Sequence, residues 1–139
     1  MIVKFIDAWN IHKDDLKEYF ETTPMCNYDS YEKLVKLVFE KVVNPEQQGS
    51  CYFDTEKIKV IDDGSYCGTQ IFILHRDTFE PGVTDYIYTN TYYGSCSGCD
   101  TLLSILSFDY NTLPNEKQVK DFMTLCLHLL EKCNYLIDG

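Results

Sequence analysis

The chain has 139 residues, of which 45% are hydrophobic, and its formal net charge is −10. A chain of this length fits a single domain, 1–139, and needs neither a metal nor disulfides to build a core, while its low content of Pro and Gly argues against disorder. Arginine is the side chain that best grips phosphate, and the only arginine is Arg76, so direct nucleic-acid binding is not expected.

The first residues of the chain carry no basic segment followed by an apolar stretch, as a signal peptide would, and no stretch reaches the length of a transmembrane helix. We therefore expect a cytoplasmic protein without a membrane partner. Thiols stay reduced in that compartment, and seven cysteines cannot all pair with one another. Most of them are expected to be small buried hydrophobic residues.

Residues 4–21 predict the first helix, because apolar side chains recur there at steps of three and four residues and form one stripe. Pro24 follows the helix and ends it. Trp9 lies in the stripe and is expected to anchor the core. His12 lies near the stripe and is expected to pack or to form a hydrogen bond.

A second helix is predicted to begin at Asp29, since Glu32 stands three residues further on, as in a capping box. Its apolar stripe runs over 31–42, and Pro45 ends it. Residues 44–55 then predict an exposed loop.

The periodicity of the apolar residues then changes from about 3.6 to about 2, which predicts strands over 56–62, 70–75 and 84–93. The unbroken apolar run 71–74 indicates a buried central strand. Turn-forming residues separate the strands, so the sequence predicts an antiparallel meander.

Two further helices complete the chain. A short one is predicted over 102–107, and a longer one opens at Asn115, where Gln118 gives capping-box spacing. The longer helix carries two cysteines in its apolar stripe and a solvated histidine on its polar face: Cys126, Cys133 and His128. The predicted fold class is therefore α+β, an antiparallel three-stranded sheet flanked by helices on one face, in the order α-α-β-β-β-α-α.

The loop between the third strand and the short helix holds two glycines and two cysteines, and it is the most distinctive segment of the sequence. A Gly- and Ser-rich turn that leads into a helix offers free backbone N–H groups to a ligand. The candidate ligand-binding residues are Tyr93, Gly94, Ser95, Cys96, Ser97, Gly98, Cys99, Asp100 and Thr101.

One chemistry for this loop is metal binding. The two-residue gap between Cys96 and Cys99 lets both thiolates reach one zinc ion. A structural zinc needs four ligands, and no second pair of this kind exists, so Cys67 with His75 or His128 would have to complete the set. No cofactor is expected, with zinc as the one candidate.

A second chemistry is thiol catalysis, because Cys99 stands near the start of a helix, where the thiolate is favoured. His75 would act as the base and Asp77 would orient it. The connectivity, however, is not the βαβ pattern of thioredoxin-type proteins. No catalytic residue is assigned, and the protein is not expected to be an enzyme.

A third chemistry is anion or nucleotide capture, with Tyr86, Tyr88, Tyr92 and Tyr93 near enough in sequence to stack on a base. Residues 77–116 contain no Lys or Arg, and Asp100 would repel a phosphate. The alternative to all three chemistries is a structural loop: its glycines permit the turn, Ser97 or Asp100 caps the helix, and the cysteines pack.

Four carboxylates flank the first predicted strand: Asp54, Glu56, Asp62 and Asp63. Together they form a candidate acidic surface that would bind a cation or imitate the phosphates of a nucleic acid. The alternative is an ordinary solvated strand edge.

Three stretches are similar to small proteins of bacteriophages and prophages: 92–102, with the sequence YYGSCSGCDTL, together with 63–69 and 121–132. The likeness covers about residues 60–133. It carries no known activity, so it implies a setting and no site residues. The resemblance implies a small phage accessory protein, of a kind that often binds host or defence components stoichiometrically. Acidic members resemble anti-CRISPR and other counter-defence inhibitors, some of which occupy a nucleic-acid channel.

The sequence therefore predicts a non-catalytic, phage-type accessory protein that binds and inhibits a host or defence macromolecule. An anti-CRISPR acting on a nucleic-acid-binding effector through its acidic surface is the specific form of this hypothesis, in the host cell cytosol. The alternative is a small-ligand, nucleotide-sequestering or zinc-binding protein that uses the loop of Cys96 and Cys99. The oligomeric state is left open.

Overall fold

The computed structural model describes residues 2–26, 29–47, 51–94, 100–106 and 112–137. Helices occupy much of this part of the chain, and four of them are α-helices: α1 (Val3–Thr22), α2 (Tyr31–Val38), α3 (Thr101–Ile105) and α4 (Glu116–Glu131). A π-helix, Phe39–Val43, continues α2, and 3-10 turns follow at Asn44–Glu46 and precede the third strand at Val83–Asp85. The strands are β1 (Lys59–Asp62), β2 (Gly68–His75), β3 (Tyr86–Tyr93) and β4 (Asn134–Tyr135).

The strands form one antiparallel sheet in the order β1-β2-β3-β4. The α+β class and the three predicted strands are confirmed. The sheet has a fourth strand, however, because Asn134 and Tyr135 turn back after α4 and pair with Tyr88 and Ile87. The predicted three-stranded sheet and element order are corrected accordingly. A two-residue strand is too short to show a period of two in the sequence.

The start of the second helix differs from its prediction by one residue. Ser30 is the N-cap, and its hydroxyl accepts a hydrogen bond from the backbone N–H of Lys33 at 3.4 Å. Asp29 instead accepts from the backbone N–H of Cys26 and forms an ion pair of 2.7 Å with Lys33. Asp29 therefore fixes the approach to the helix, and the shorter serine side chain caps it.

The helices cover one face of the sheet. The rings of Phe20 and Phe122 stack at 5.0 Å between α1 and α4, and the hydroxyl of Thr89 on β3 donates to the carbonyl of Leu129 on α4. Trp9 is buried, as predicted. The predicted burial is confirmed as well: Cys126 on α4 and Cys133, two residues after the helix, are buried, and His128 on α4 is exposed.

The central strand β2 is buried on one face only, which corrects the prediction of a fully buried strand. Phe72 and Leu74 have no solvent exposure, whereas the alternate residues Ile71 and Ile73 are half-buried and point to the other side. An unbroken apolar run therefore does not show here that helices cover both faces.

Arg76, directly after β2, holds the segment that follows the π-helix. Its guanidinium lies 4.7 Å from the centre of the Phe53 ring and donates to the carbonyl of Cys51 at 2.7 Å. It also donates to Gln47 at 3.2 Å and to the hydroxyl of Tyr135 at 3.3 Å. The single guanidinium of the chain thus has a structural role.

Among the described residues, no helix combines the length and the apolar character needed to cross a membrane.

Candidate functional site

A buried carboxylate joins the two ends of the cysteine-containing loop. Asp100 is 5% exposed, and it accepts hydrogen bonds from the Tyr31 hydroxyl at 2.7 Å and from the backbone N–H groups of Gly94 at 2.9 Å and Leu103 at 3.0 Å. The bond to Leu103 makes Asp100 the N-cap of α3, one of the two caps predicted. The bond to Gly94 fixes the residue at which the chain leaves β3.

Tyr31 connects this carboxylate to the helical layer. Its hydroxyl donates to Asp100 and accepts from the backbone N–H of Leu102 at 3.0 Å. Burial raises the pKa of the Tyr31 phenol above its ordinary value of 10.0, and the neighbouring carboxylate raises it further. The phenol therefore remains a hydrogen-bond donor throughout the physiological pH range.

The central residues of the predicted loop site, Ser95, Cys96, Ser97, Gly98 and Cys99, lie outside the described residues. Their neighbours have structural contacts: Gly94 and Asp100 bond to each other, Thr101 begins α3, and Tyr93 donates to a carboxylate of β1.

Within the described ranges, no three His, Cys, Asp or Glu side chains stand close enough together to hold a metal ion. Cys67 is exposed, and Nδ1 of His75 lies 2.8 Å from the carbonyl oxygen of Arg76. The zinc and thiol hypotheses therefore stay predictions.

The hairpin between β1 and β2 uses two of the four predicted acidic residues. Asp62 accepts hydrogen bonds from the Tyr93 hydroxyl, from Gln70 and from the backbone N–H of Gly64, and Asp63 accepts from the backbone N–H of Thr69 at 2.7 Å. The bond from Tyr93 holds the pKa of Asp62 below its ordinary range, and the same bond raises the pKa of Tyr93 to about 12.

The other two acidic residues lie at the opposite end of the sheet. The backbone N–H of Asp54 donates to the carbonyl of His75, at the end of β2, whereas Asp62 pairs with Gln70. About five residues of strand, roughly 17 Å, separate these two positions. Glu56 forms an ion pair of 3.1 Å with Lys36. The four carboxylates are thus two pairs, one at each end of the sheet.

One side of the sheet carries no helix among the described residues. We call it the open sheet face, and six residues define it: Ile61, Ile71, Ile73, Tyr86, Tyr88 and Tyr92. Within the part of the chain that the structure describes, these side chains are not among the partly buried hydrophobic residues that pack against the core. The alternation in β3 was visible in the sequence, but the choice of the buried side was not.

Carboxylates flank the open sheet face at both strand ends. Asp63 stands at the hairpin between β1 and β2, and the exposed Asp77 and Glu80 belong to the connection between β2 and β3. Asp62 lies on the helix-covered side instead, where its carboxylate accepts from Tyr93. Lys59 is the one lysine or arginine that the strands themselves carry among the described residues. The surroundings of this face therefore favour cationic ligands.

A groove of about 750 Å³ lies between α1 and α4, with Trp9 and Met123 in its lining. Its charged side chains include both signs, namely Lys13, Lys17, Lys120, Asp14, Glu21 and Glu116. This mixture favours neither an anionic nor a cationic ligand. The carboxylates near the open sheet face, by contrast, favour cationic ligands.

No protein-family model matches the chain, and no curated protein and no solved structure matches it at a significant level. The resemblance to phage proteins therefore stays a prediction, and the surface and charges of the molecule carry the functional argument.

Proposed function

We propose that the protein is a non-catalytic binding protein that attaches stoichiometrically to a basic surface of a host or defence macromolecule. In the setting of a phage accessory protein, the target is a nucleic-acid-binding effector such as a CRISPR nuclease, and the bound protein inhibits it. One observation carries the proposal: carboxylates stand at both ends of the sheet, and no Lys or Arg occurs between residues 77 and 116.

The carboxylates at the end of β2 are accessible. Asp77 and Glu80 are exposed, and neither has an ion-pair partner among the described residues. Uncompensated charge of one sign accelerates association with an oppositely charged surface and penalises like-charged partners. A basic nucleic-acid channel is a surface of the complementary sign.

A binding role is also supported by what the ionisable side chains do. Asp100 and Asp62 hold turns and caps through several hydrogen bonds each, and His12 contacts Glu46 at 2.6 Å. The thiols of Cys126 and Cys133 are buried, which raises the pKa of both and keeps them protonated. These groups stabilise the fold and are not arranged around a reacting atom.

The proposal is tested by capturing host proteins on the immobilised chain and eluting them with increasing salt. A partner bound through charge should elute as ionic strength rises, and it should be a basic protein that loses its nucleic acid when the chain binds.

A host strain that carries an active CRISPR system should regain phage sensitivity when it expresses the chain. Partner binding that is insensitive to salt would contradict the electrostatic argument.

The second candidate function is capture of zinc or of a small ligand by the loop that contains Cys96 and Cys99. The favouring observation is that Asp100 fixes both ends of this loop, since it bonds to Gly94 at 2.9 Å and caps α3. A native mass spectrum of protein purified under reducing conditions, before any chelator, tests it. A mass increase equal to zinc that disappears in the Cys96→Ser, Cys99→Ser double variant would support this function over macromolecular binding.

A further inference from the structure

We infer that the open sheet face is the contact surface, and that it binds the arginine-rich surface of a partner protein. The inference rests on the proposed function and adds to it the location of the contact and the side chains that it recognises.

The first argument is the orientation of β3. Its small polar residues Thr89 and Thr91 point to the helices and are buried, at 1% and 6% exposure, while Tyr86, Tyr88 and Tyr92 point away from the core. This reverses the usual preference, because tyrosine buries far more apolar area than threonine. Tyrosines that point outward on a rigid sheet are typical of protein interfaces.

The second argument is the continuity of the face across three strands. The strand register places Ile61 beside Ile71, and Ile73 beside Tyr88. Ile61 on the edge strand is 43% exposed and Tyr92 is 59% exposed. A contiguous apolar patch rimmed by polar residues on a folded domain marks a docking surface.

The third argument is chemical and concerns the kind of partner. Phenol rings attract guanidinium groups by cation–π interaction, and carboxylates bind the same groups through paired hydrogen bonds. The open sheet face offers both, because Tyr86 and Tyr88 lie between Asp63, at the hairpin of β1 and β2, and the exposed carboxylates of Asp77 and Glu80 after β2. Arginine, which combines a planar face with a fork of donors, fits this combination better than lysine.

Two other occupants fit less well. Aromatic residues on an open sheet also stack on the bases of single-stranded nucleic acid, but the phosphates would then meet the carboxylates at both strand ends. In the described part of the chain, Lys59 is the one cationic side chain on the strands that could oppose these carboxylates. A second copy of the chain would bring two molecules of net charge −10 together and place their acidic strand ends near one another.

The experiment measures the binding of a synthetic oligoarginine peptide by calorimetry, and locates it by NMR shifts of the backbone amides. Two variants alter the face: Tyr88→Ala removes a central ring, and Ile61→Lys adds a cation at a position that is 43% exposed. Ile11→Lys on α1, 61% exposed, is the matched control, since it changes the net charge by the same amount. Circular dichroism verifies that each variant is folded.

We expect the NMR shifts to centre on β2 and β3, and both face variants to weaken binding by on the order of tenfold, with Ile11→Lys within about twofold of the wild type. Peptide binding that the face variants leave unchanged would overturn this inference and leave the proposed function intact. Wild-type protein that binds no peptide, or that binds an oligothymidylate on this face, would overturn both. A dimer that Ile61→Lys dissociates would assign the face to a second copy.

Discussion

The Tyr31 hydroxyl donates a hydrogen bond of 2.7 Å to Asp100, which lies 69 residues further along the chain and is 5% exposed. The contact joins the first turn of α2 to the N-cap of α3. This hydrogen bond therefore connects the helices to the loop that follows β3.

Replacing Tyr31 with Phe should lower the free energy of unfolding by about 1–3 kcal/mol, because a buried carboxylate loses a donor and the backbone N–H of Leu102 loses its acceptor. Chemical denaturation of the purified variant measures this change. Tyr66→Phe is the matched control, since Tyr66 is 81% exposed and its change should be close to zero. Equal stability of the Tyr31 variant and the wild type would show that the contact adds nothing.

Asp100→Ala should destabilise the protein more than the loss of an ordinary cap. An exposed N-cap such as Asn115 on α4 contributes about 1 kcal/mol to the free energy of unfolding, and Asn115→Ala serves as the comparison. Asp100 caps α3 and also holds Gly94 and Tyr31, so its removal leaves buried donors without an acceptor and should cost roughly 2–4 kcal/mol. A loss no greater than that of Asn115→Ala would mean that capping is the whole role of Asp100.

The hydrogen bond from Tyr93 to Asp62 should make part of the stability depend on pH at both extremes. The pKa of Tyr93 is raised to about 12, so its contribution is complete below the ordinary value of 10.0 and is lost as the pH rises towards 12. The pKa of Asp62 is lowered, so its contribution is complete above the ordinary value of 3.8 and is lost on acidification below it.

The difference in stability between the wild type and Tyr93→Phe should therefore be largest between these limits and shrink beyond them. Urea unfolding of both proteins across the pH range measures it, and ultraviolet titration of the phenols should show one fewer late-ionising tyrosine in the variant. A stability difference that stays constant with pH would exclude the bond to Asp62 as its source.

The thiols should divide into fast and slow groups under an alkylating reagent. Cys51 and Cys67 are exposed and should react in the native protein. Cys126 and Cys133 are buried, and burial raises the pKa of the Cys133 thiol to about 12, so both should react only after unfolding. Peptide mapping by mass spectrometry distinguishes the sites, and rapid alkylation of Cys126 in folded protein would contradict its place in the core.

Local sequence patterns predicted the elements of this fold well where the pattern was long. The period of α1, the capping box of Asn115 and Gln118, and the alternation of β3 all appear in the structure. The π-helix after α2 and the strand at Asn134–Tyr135 were not predicted. The π-helix packs against α1, and the strand pairs with β3, and local periodicity records neither contact.

The candidate sites show the same limit. Asp100 was predicted as a cap, but its partner Tyr31 is 69 residues away and no spacing rule connects them. The acidic residues Asp54 and Asp62 were predicted to belong to one acidic surface, whereas the sheet places them at opposite ends. Tyr88 points outward because α4 covers the other side of the sheet. Which side the helix covers depends on the packing of the whole molecule.

The position of Arg76 makes proteolysis a measure of local unfolding in this protein. A protease that cuts only after arginine has one site in the sequence, and in the native state its side chain is stacked on Phe53 and hydrogen-bonded to Cys51 and Tyr135. Cleavage requires these contacts to break. When cleavage is slower than reclosing, its rate follows the population of the open form, so the yield of two defined fragments measures how often the end of β2 opens.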